Sequence, residues 1–154
     1  MTRRWLNSHT INDENIDKDI SIVYSPLNGT GNKLVRRILD ERGFKNVHVV
    51  KEQENPDPDF TTVGYPNPED PNAFKYSIEL GEKVDADLLL ATDPDADRTA
   101  LEVRDRNGEY VFLTGNKIGI LLVNYILEQL DERNEMPKNP VIVKSIVTGK
   151  LSNL

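Results

Sequence analysis

Ile20–Val50 reads "ISIVYSPLNGTGNKLVRRILDERGFKNVHVV". Its opening run of β-branched and aromatic residues predicts a strand over Ile20–Tyr24, broken at Pro26. Leu34, Val35, Ile38 and Leu39 then recur at the spacing of one helix face, with Asn32 as the expected N-cap and Gly43 as the stop. Val47–Val50 is a second strand. Strand, helix and strand in 31 residues form a β-α-β unit, so a parallel pair with a right-handed crossover is expected.

Outward from this unit, the chain continues with short elements. Glu54–Asp70 is rich in Pro, Asp and Asn, which forbids a long helix or central strand and predicts a loop. Asp70-Pro71 is an N-cap followed by proline at the first helical position, opening a helix to about Lys83. "DLLLAT" (Asp87–Thr92) is an unbroken apolar run, the pattern of a strand buried on both faces. Alternation through "TALEVRDRNGEYVFL" predicts a hairpin with a type I′ turn at Asn107-Gly108. A helix over about Asn116–Arg133 carries Ile118, Leu121, Leu122, Tyr125 and Ile126 as its apolar face. "PVIVKSIVTGKLSNL" predicts one more strand. The fold class is therefore α/β, a three-layer α/β/α domain with a mixed, mostly parallel sheet.

Composition narrows the function. The 154 residues suffice for one domain and carry a formal net charge of −7, which argues against a nucleic-acid partner. The absence of cysteine excludes a thiolate metal site and fits a reducing compartment, so the cytoplasm is expected. No apolar run is long enough for a membrane span. Residues 1–19 are a polar lead-in.

The chemistry concentrates in "DPDADR" (Asp93–Arg98), directly after an apolar strand. Open α/β sheets place ligand sites beyond the carboxyl ends of their strands. Asp93, Asp95 and Asp97 repel one another unless protons or a cation intervene. Oxygen ligands alone point to Mg²⁺, Mn²⁺ or Ca²⁺. Arg98 beside them adds a permanent charge and planar donors suited to a phosphoryl group. The competing reading is an Asp-rich turn whose carboxylates only cap backbone. An EF-hand loop counted from Asp93 fails, with Arg98 where glycine and Arg104 where glutamate are needed. A haloacid-dehalogenase-like phosphatase with Asp93 as nucleophile remains the alternative, as does a non-enzymatic Mg²⁺ module. "GTGNK" (Gly29–Lys33) lacks the spacing of a phosphate loop and suits a tight strand-to-helix turn. His9, in the lead-in, and His48, within a strand, suggest no catalytic arrangement, and Lys144 and Lys150 suggest solvated side chains.

These segments resemble the α-D-phosphohexomutases, the phosphoglucomutase/phosphomannomutase superfamily. "DPDADR" resembles the family's metal loop, D-G-D-G-D-R or D-P-D-A-D-R. "YSPLNGTG" is similar to its T-P-L-H-G-T-G, "NPDPDFTTVGYPNPED" to its P-D-P-x-F-x-x-V-x-x-P-N-P-E, and "FLTGNKIGILL" to its L-T-G-N-x-x-G-x-L-L. The resemblance implies that residues 20–138 are the family's second, Mg²⁺-binding domain and that residues 139–154 begin the third. It implies phosphoryl transfer between the 1- and 6-positions of a hexose phosphate through an enzyme phosphoserine, with the DPDADR variant favouring phosphoglucomutase. Asp93, Asp95 and Asp97 would hold Mg²⁺, and Arg98 would contact the phosphoryl group. The family's serine segment, T-A-S-H-N-P, has no counterpart in these residues. The chain alone is thus expected to be inactive and to work with other domains of one longer polypeptide. Asn28 stands where the family usually has His, Ser25 where it has Thr, and Gly149 where Ser is common.

Overall fold

The computed structural model describes residues 16–144. In chain order its elements are β1 (Ile22–Ser25), α1 (Gly31–Glu41), β2 (Val47–Val49), α2 (Lys75–Val84), β3 (Leu88–Thr92), β4 (Thr99–Arg104), β5 (Tyr110–Leu113) and α3 (Gly115–Glu132). Short 3-10 turns occupy Lys51–Gln53 and Pro71–Phe74. His9, Gly149, Lys150 and most of the lead-in and final segment lie outside the described residues.

One compact unit runs from Lys18 to Gly115 and holds the whole sheet. Strand order is β2-β1-β3-β4-β5. β1 pairs in parallel with β2 (Val23 opposite His48) and with β3 (Val23 opposite Leu89). The β3–β4 and β4–β5 pairs are antiparallel. The sheet is mixed as expected, and the hairpin makes the two kinds of pairing equal in number. Crossovers from β1 to β2 and from β2 to β3 leave β1 flanked on both sides, so the strand order reverses at β1. Such a reversal opens a crevice between the loops at the strands' carboxyl ends.

Pleating separates the two faces. Val23, Leu89, Ala91 and Ala100 point to one side and form the core with Phe74, Val50 and Leu27. Phe74 meets Phe112 edge to face, ring centroids 5.8 Å apart, and burying a side chain of this size stabilises by about 2–3 kcal/mol. α2 lies over this face, where Gly81 approaches Leu89 and Tyr110. On the opposite face the first residue of α1, Gly31, rests against Tyr24 and Thr92.

Several local expectations are corrected. α1 begins at Gly31, so Thr30 is the N-cap and Asn32 lies within the helix, its amide donating to the Glu54 carbonyl at 2.7 Å. Leu34 is 64% exposed rather than part of the buried face. β3 is buried fully on one face only, since Leu88 and Leu90 are half-buried. The β4–β5 turn is not type I′, which would need Asn107 at positive φ. Only Gly108 adopts it (φ 88°), after a turn closed by Gly108 N–H to the Asp105 carbonyl. Asp105 explains the choice, because its Oδ1 accepts the N–H groups of both Asn107 and Glu109. Asp70 caps Asn72 N–H as expected, and Pro71–Phe74 forms a 3-10 turn before α2.

The second unit includes α3 from Asn116 onward and the segment that follows. Leu121, Leu122 and Ile126, expected to pack, are 57%, 55% and 39% exposed, and Gln129 is the helix's buried residue. Val141–Lys144 forms no strand, since a strand requires a ladder partner and none pairs with it among the described residues. No helix among the described residues is long and apolar enough to cross a membrane.

Candidate metal and phosphoryl site

The loop Asp93–Arg98 joins β3 to β4 and is closed at its base by the Thr92–Thr99 pair. Inside it, Ala96 N–H donates to the Asp93 carbonyl (3.0 Å), and Asp93 N–H donates to the Arg98 carbonyl (3.3 Å). Ala96 sits at φ 60°, a conformation that glycine adopts more cheaply.

This tight loop brings one carboxylate oxygen from each of Asp93, Asp95 and Asp97 within 4.8 Å of the others. Asp93 is 1% exposed, whereas Asp95 and Asp97 face solvent. Burial works to raise the Asp93 pKa. The backbone N–H of Arg98 on Oδ1 (3.0 Å) and its Nε on Oδ2 (2.8 Å) outweigh burial and hold the carboxyl below the usual range. Asp97 is pushed the other way, first by the hydrogen bond it shares with Asp93 and then by the charge of Asp95. Three carboxylates held within ligand distance of one another are a donor set whose mutual repulsion a hard cation relieves. The residues present fit such an ion.

Two further segments support the loop. Thr30 N–H and Oγ1 both donate to the Pro94 carbonyl, at 2.8 and 3.0 Å. Gly29 lies so close that a Cβ there would be 2.3 Å from Pro94 Cα, which only glycine permits. Gly29 thus seats the Asp93–Arg98 loop, and Gly31 lies against its Ala96. Behind them, Asn28 is buried at φ 60°, which asparagine tolerates better than most residues. Its amide donates to the Asn55 carbonyl (2.7 Å), its Oδ1 accepts from Thr62 (3.0 Å), and its N–H donates to the Gln53 carbonyl. Ser25 Oγ donates to Gln53 Oε1 at 2.6 Å. At Asn28 and Ser25 the chain departs from the resembled motif, and both residues serve a buried network that ties residues 52–62 to the end of β1.

The long Pro-rich loop returns to the site through Asn67, whose Oδ1 accepts from Arg98 Nη1 at 3.2 Å. Sequence reasoning treated this segment as a loop without naming Asn67 or Glu69. Asn67 followed two residues later by a backbone N–H donor is an Asx turn, a signal of local order that could have drawn attention to it. Arg98 therefore sits between Asp93 and Asn67, half-exposed. Both Asp93 oxygens accept hydrogen bonds from Arg98, an arrangement that lends the nucleophile alternative no support. His48 bonds Asn46 Oδ1 and takes no part in the site.

Comparison with known proteins shows the family. Residues 4–108 match the family model described as "Phosphoglucomutase/phosphomannomutase, alpha/beta/alpha domain II". A phosphoglucomutase of Staphylococcus epidermidis is 42% identical over 134 residues, covering 87% of this chain and 24% of that protein. One from Staphylococcus aureus is 38% identical over the same length and shares. The crystal structure of a phosphoglucomutase/phosphomannomutase family protein from Burkholderia thailandensis superposes with a TM-score of 0.59 at 21% identity, over 75% of this chain and 23% of that one, which bears on the fold alone. The chain spans about a quarter of the length of the curated relatives it matches. With more than half of its residues matched, the chain belongs to the phosphoglucomutase/phosphomannomutase family, as its α/β/α domain II.

Proposed function

We propose that this chain is the cation-holding domain of a phosphohexomutase, most closely a phosphoglucomutase, which interconverts hexose 1- and 6-phosphates through an enzyme phosphoserine. The observation that carries the reading is the Asp93, Asp95 and Asp97 cluster with Arg98 beside it, at the carboxyl ends of β1 and β3, in a domain of this family. Asp93, Asp95 and Asp97 would hold Mg²⁺, whose oxygen preference suits three carboxylates. When bound, the ion supplies charge neutralisation for phosphoryl transfer. Arg98 adds a fixed positive charge and planar donors that orient a phosphoryl oxygen at the loop's mouth. The same reading assigns residues 20–138 to this domain and 139–154 to the start of the next. It takes other domains of the same polypeptide and a hexose phosphate as partners, with the cytoplasm as the place of work.

Mg²⁺ binding by the 154-residue chain tests the reading. With water at the position a phosphoserine would fill, the expected dissociation constant is on the order of millimolar. At about ten times that concentration, mass action stabilises by RT ln 11, roughly 1.4 kcal/mol. The melting temperature should rise by about 3–6 °C. Asp95→Asn should largely abolish the rise while leaving the metal-free melting temperature equal or higher, because one repelling charge is gone. NaCl of equal ionic strength should not reproduce it. An equal Mg²⁺ response in wild type and Asp95→Asn would refute the assignment.

A further inference from the structure

Two neighbours of different kinds hydrogen-bond the Arg98 side chain, and Asp97 Oδ1 stands 3.7 Å from its Nε. Nε donates to Asp93 Oδ2 at 2.8 Å, a contact between opposite charges. Nη1 donates to Asn67 Oδ1 at 3.2 Å, an acceptor without net charge from a loop 31 residues away in sequence. Asn67 is well anchored for this task. Its Oδ1 also accepts Glu69 N–H (3.1 Å), its N–H donates to the Tyr65 carbonyl (2.9 Å), and its own carbonyl accepts Asp70 N–H (3.0 Å).

The two hydrogen bonds respond unequally to a cation. A divalent ion on the Asp cluster competes for the Asp93 carboxylate and repels the guanidinium beside it, so the Nε contact weakens as the site fills. The contact to an uncharged amide oxygen loses far less. We propose that Asn67 is a positioning residue for Arg98, keeping the guanidinium at the mouth of the loop once a cation has neutralised Asp93. The proposal rests on the cation reading above. It gives the Pro-Asn-Pro segment (Pro66–Pro68) a defined task, the delivery of one amide oxygen to the phosphoryl-binding arginine. Asparagine also suits the place electrostatically, because a carboxylate there would be a fourth acid beside the cluster.

Rotation of the Arg98 guanidinium about its Nε–Cζ bond, followed by side-chain NMR on the 154-residue chain with and without saturating Mg²⁺, reads this grip directly. In the wild type, rotation should be slow in both states. Asn67→Ala should speed it roughly fivefold without Mg²⁺, as expected for loss of one modest hydrogen bond, and by about tenfold or more with it. Asn67→Asp keeps the acceptor and should restore slow rotation without Mg²⁺. Asp57→Ala loosens the same loop at Thr61 without touching Arg98, and should leave rotation unchanged. Unchanged rotation in Asn67→Ala, or equal acceleration by Asp57→Ala, would overturn the proposal and reduce Asn67 to a loop residue. If Mg²⁺ shifts no resonance of Asp93, Asp95 or Asp97 in the wild type, the cation reading and the Mg²⁺-dependent half of the proposal fall. The metal-free contrast between the two alanine variants then decides the tether by itself.

Discussion

Asp93 and Glu102 are nearly equally buried acids one loop apart, 1% and 4% exposed, and their environments differ completely. Asp93 directly follows β3 where the chain turns, and the turn returns Arg98 to both of its oxygens. Glu102 lies in the middle of β4, opposite Leu89 and Phe112 on the core face, and its Oε2 has no hydrogen-bond partner among the described residues. Burial alone pushes the Glu102 carboxyl up, whereas Arg98 holds that of Asp93 down. Enclosure of an acid therefore says little about its use. A loop that brings counter-charge and further carboxylates to the same point distinguishes a site from a strained core position.

The comparison breaks most severely if the seat of the Asp93 loop is disturbed. Gly29→Ala forces a methyl group into Pro94, and overpacking against backbone should cost about 3 kcal/mol. Thermal melting should fall by about 8 °C. A loss under about 1 kcal/mol would show that the two loops part easily and that the seat is pliant.

Next in size is the ion pair itself. Asp93→Ala strands the Arg98 backbone N–H and removes the acceptor of its Nε, at a cost of about 2 kcal/mol in chemical denaturation. Asp97→Ala, at an exposed and mutually repelled acid, should change metal-free stability far less than Asp93→Ala does. Equal losses in the two variants would erase the distinction between the buried and exposed members of the cluster.

The last effect has the opposite sign. Because burial raises the Glu102 pKa, the folded chain keeps this proton to higher pH than the unfolded chain. Its contribution is fully present below the ordinary glutamate range and is lost as pH rises through the folded value. Glu102→Leu should thus stabilise by about 1 kcal/mol at pH near 8 and by less at acid pH, as melting curves at both pH values would reveal. Destabilisation at both would mean that Glu102 has a partner that outweighs its desolvation.

The β-α-β unit, the helix opened by Asp70-Pro71, the apolar strand before the acids and the acid cluster itself follow from the sequence alone. Each is a matter of local periodicity, capping or charge density, which neighbouring residues carry between them. Tertiary structure decided what depends on approach across the chain. Gly29 needed Pro94 to reveal its role, Asn28 needed the carbonyl of Asn55 and the hydroxyl of Thr62, and Asn67 needed Arg98. Asn32 has the chemistry of a helix cap, yet Gly31 rests against Tyr24 and Thr92 and the helix begins two residues sooner, with Thr30 as its cap. Alternation along β4 does not say which of its sides faces the core, and register placed Glu102 there, opposite Leu89. Register and loop packing are sums over residues distant in sequence, and no local pattern contains them.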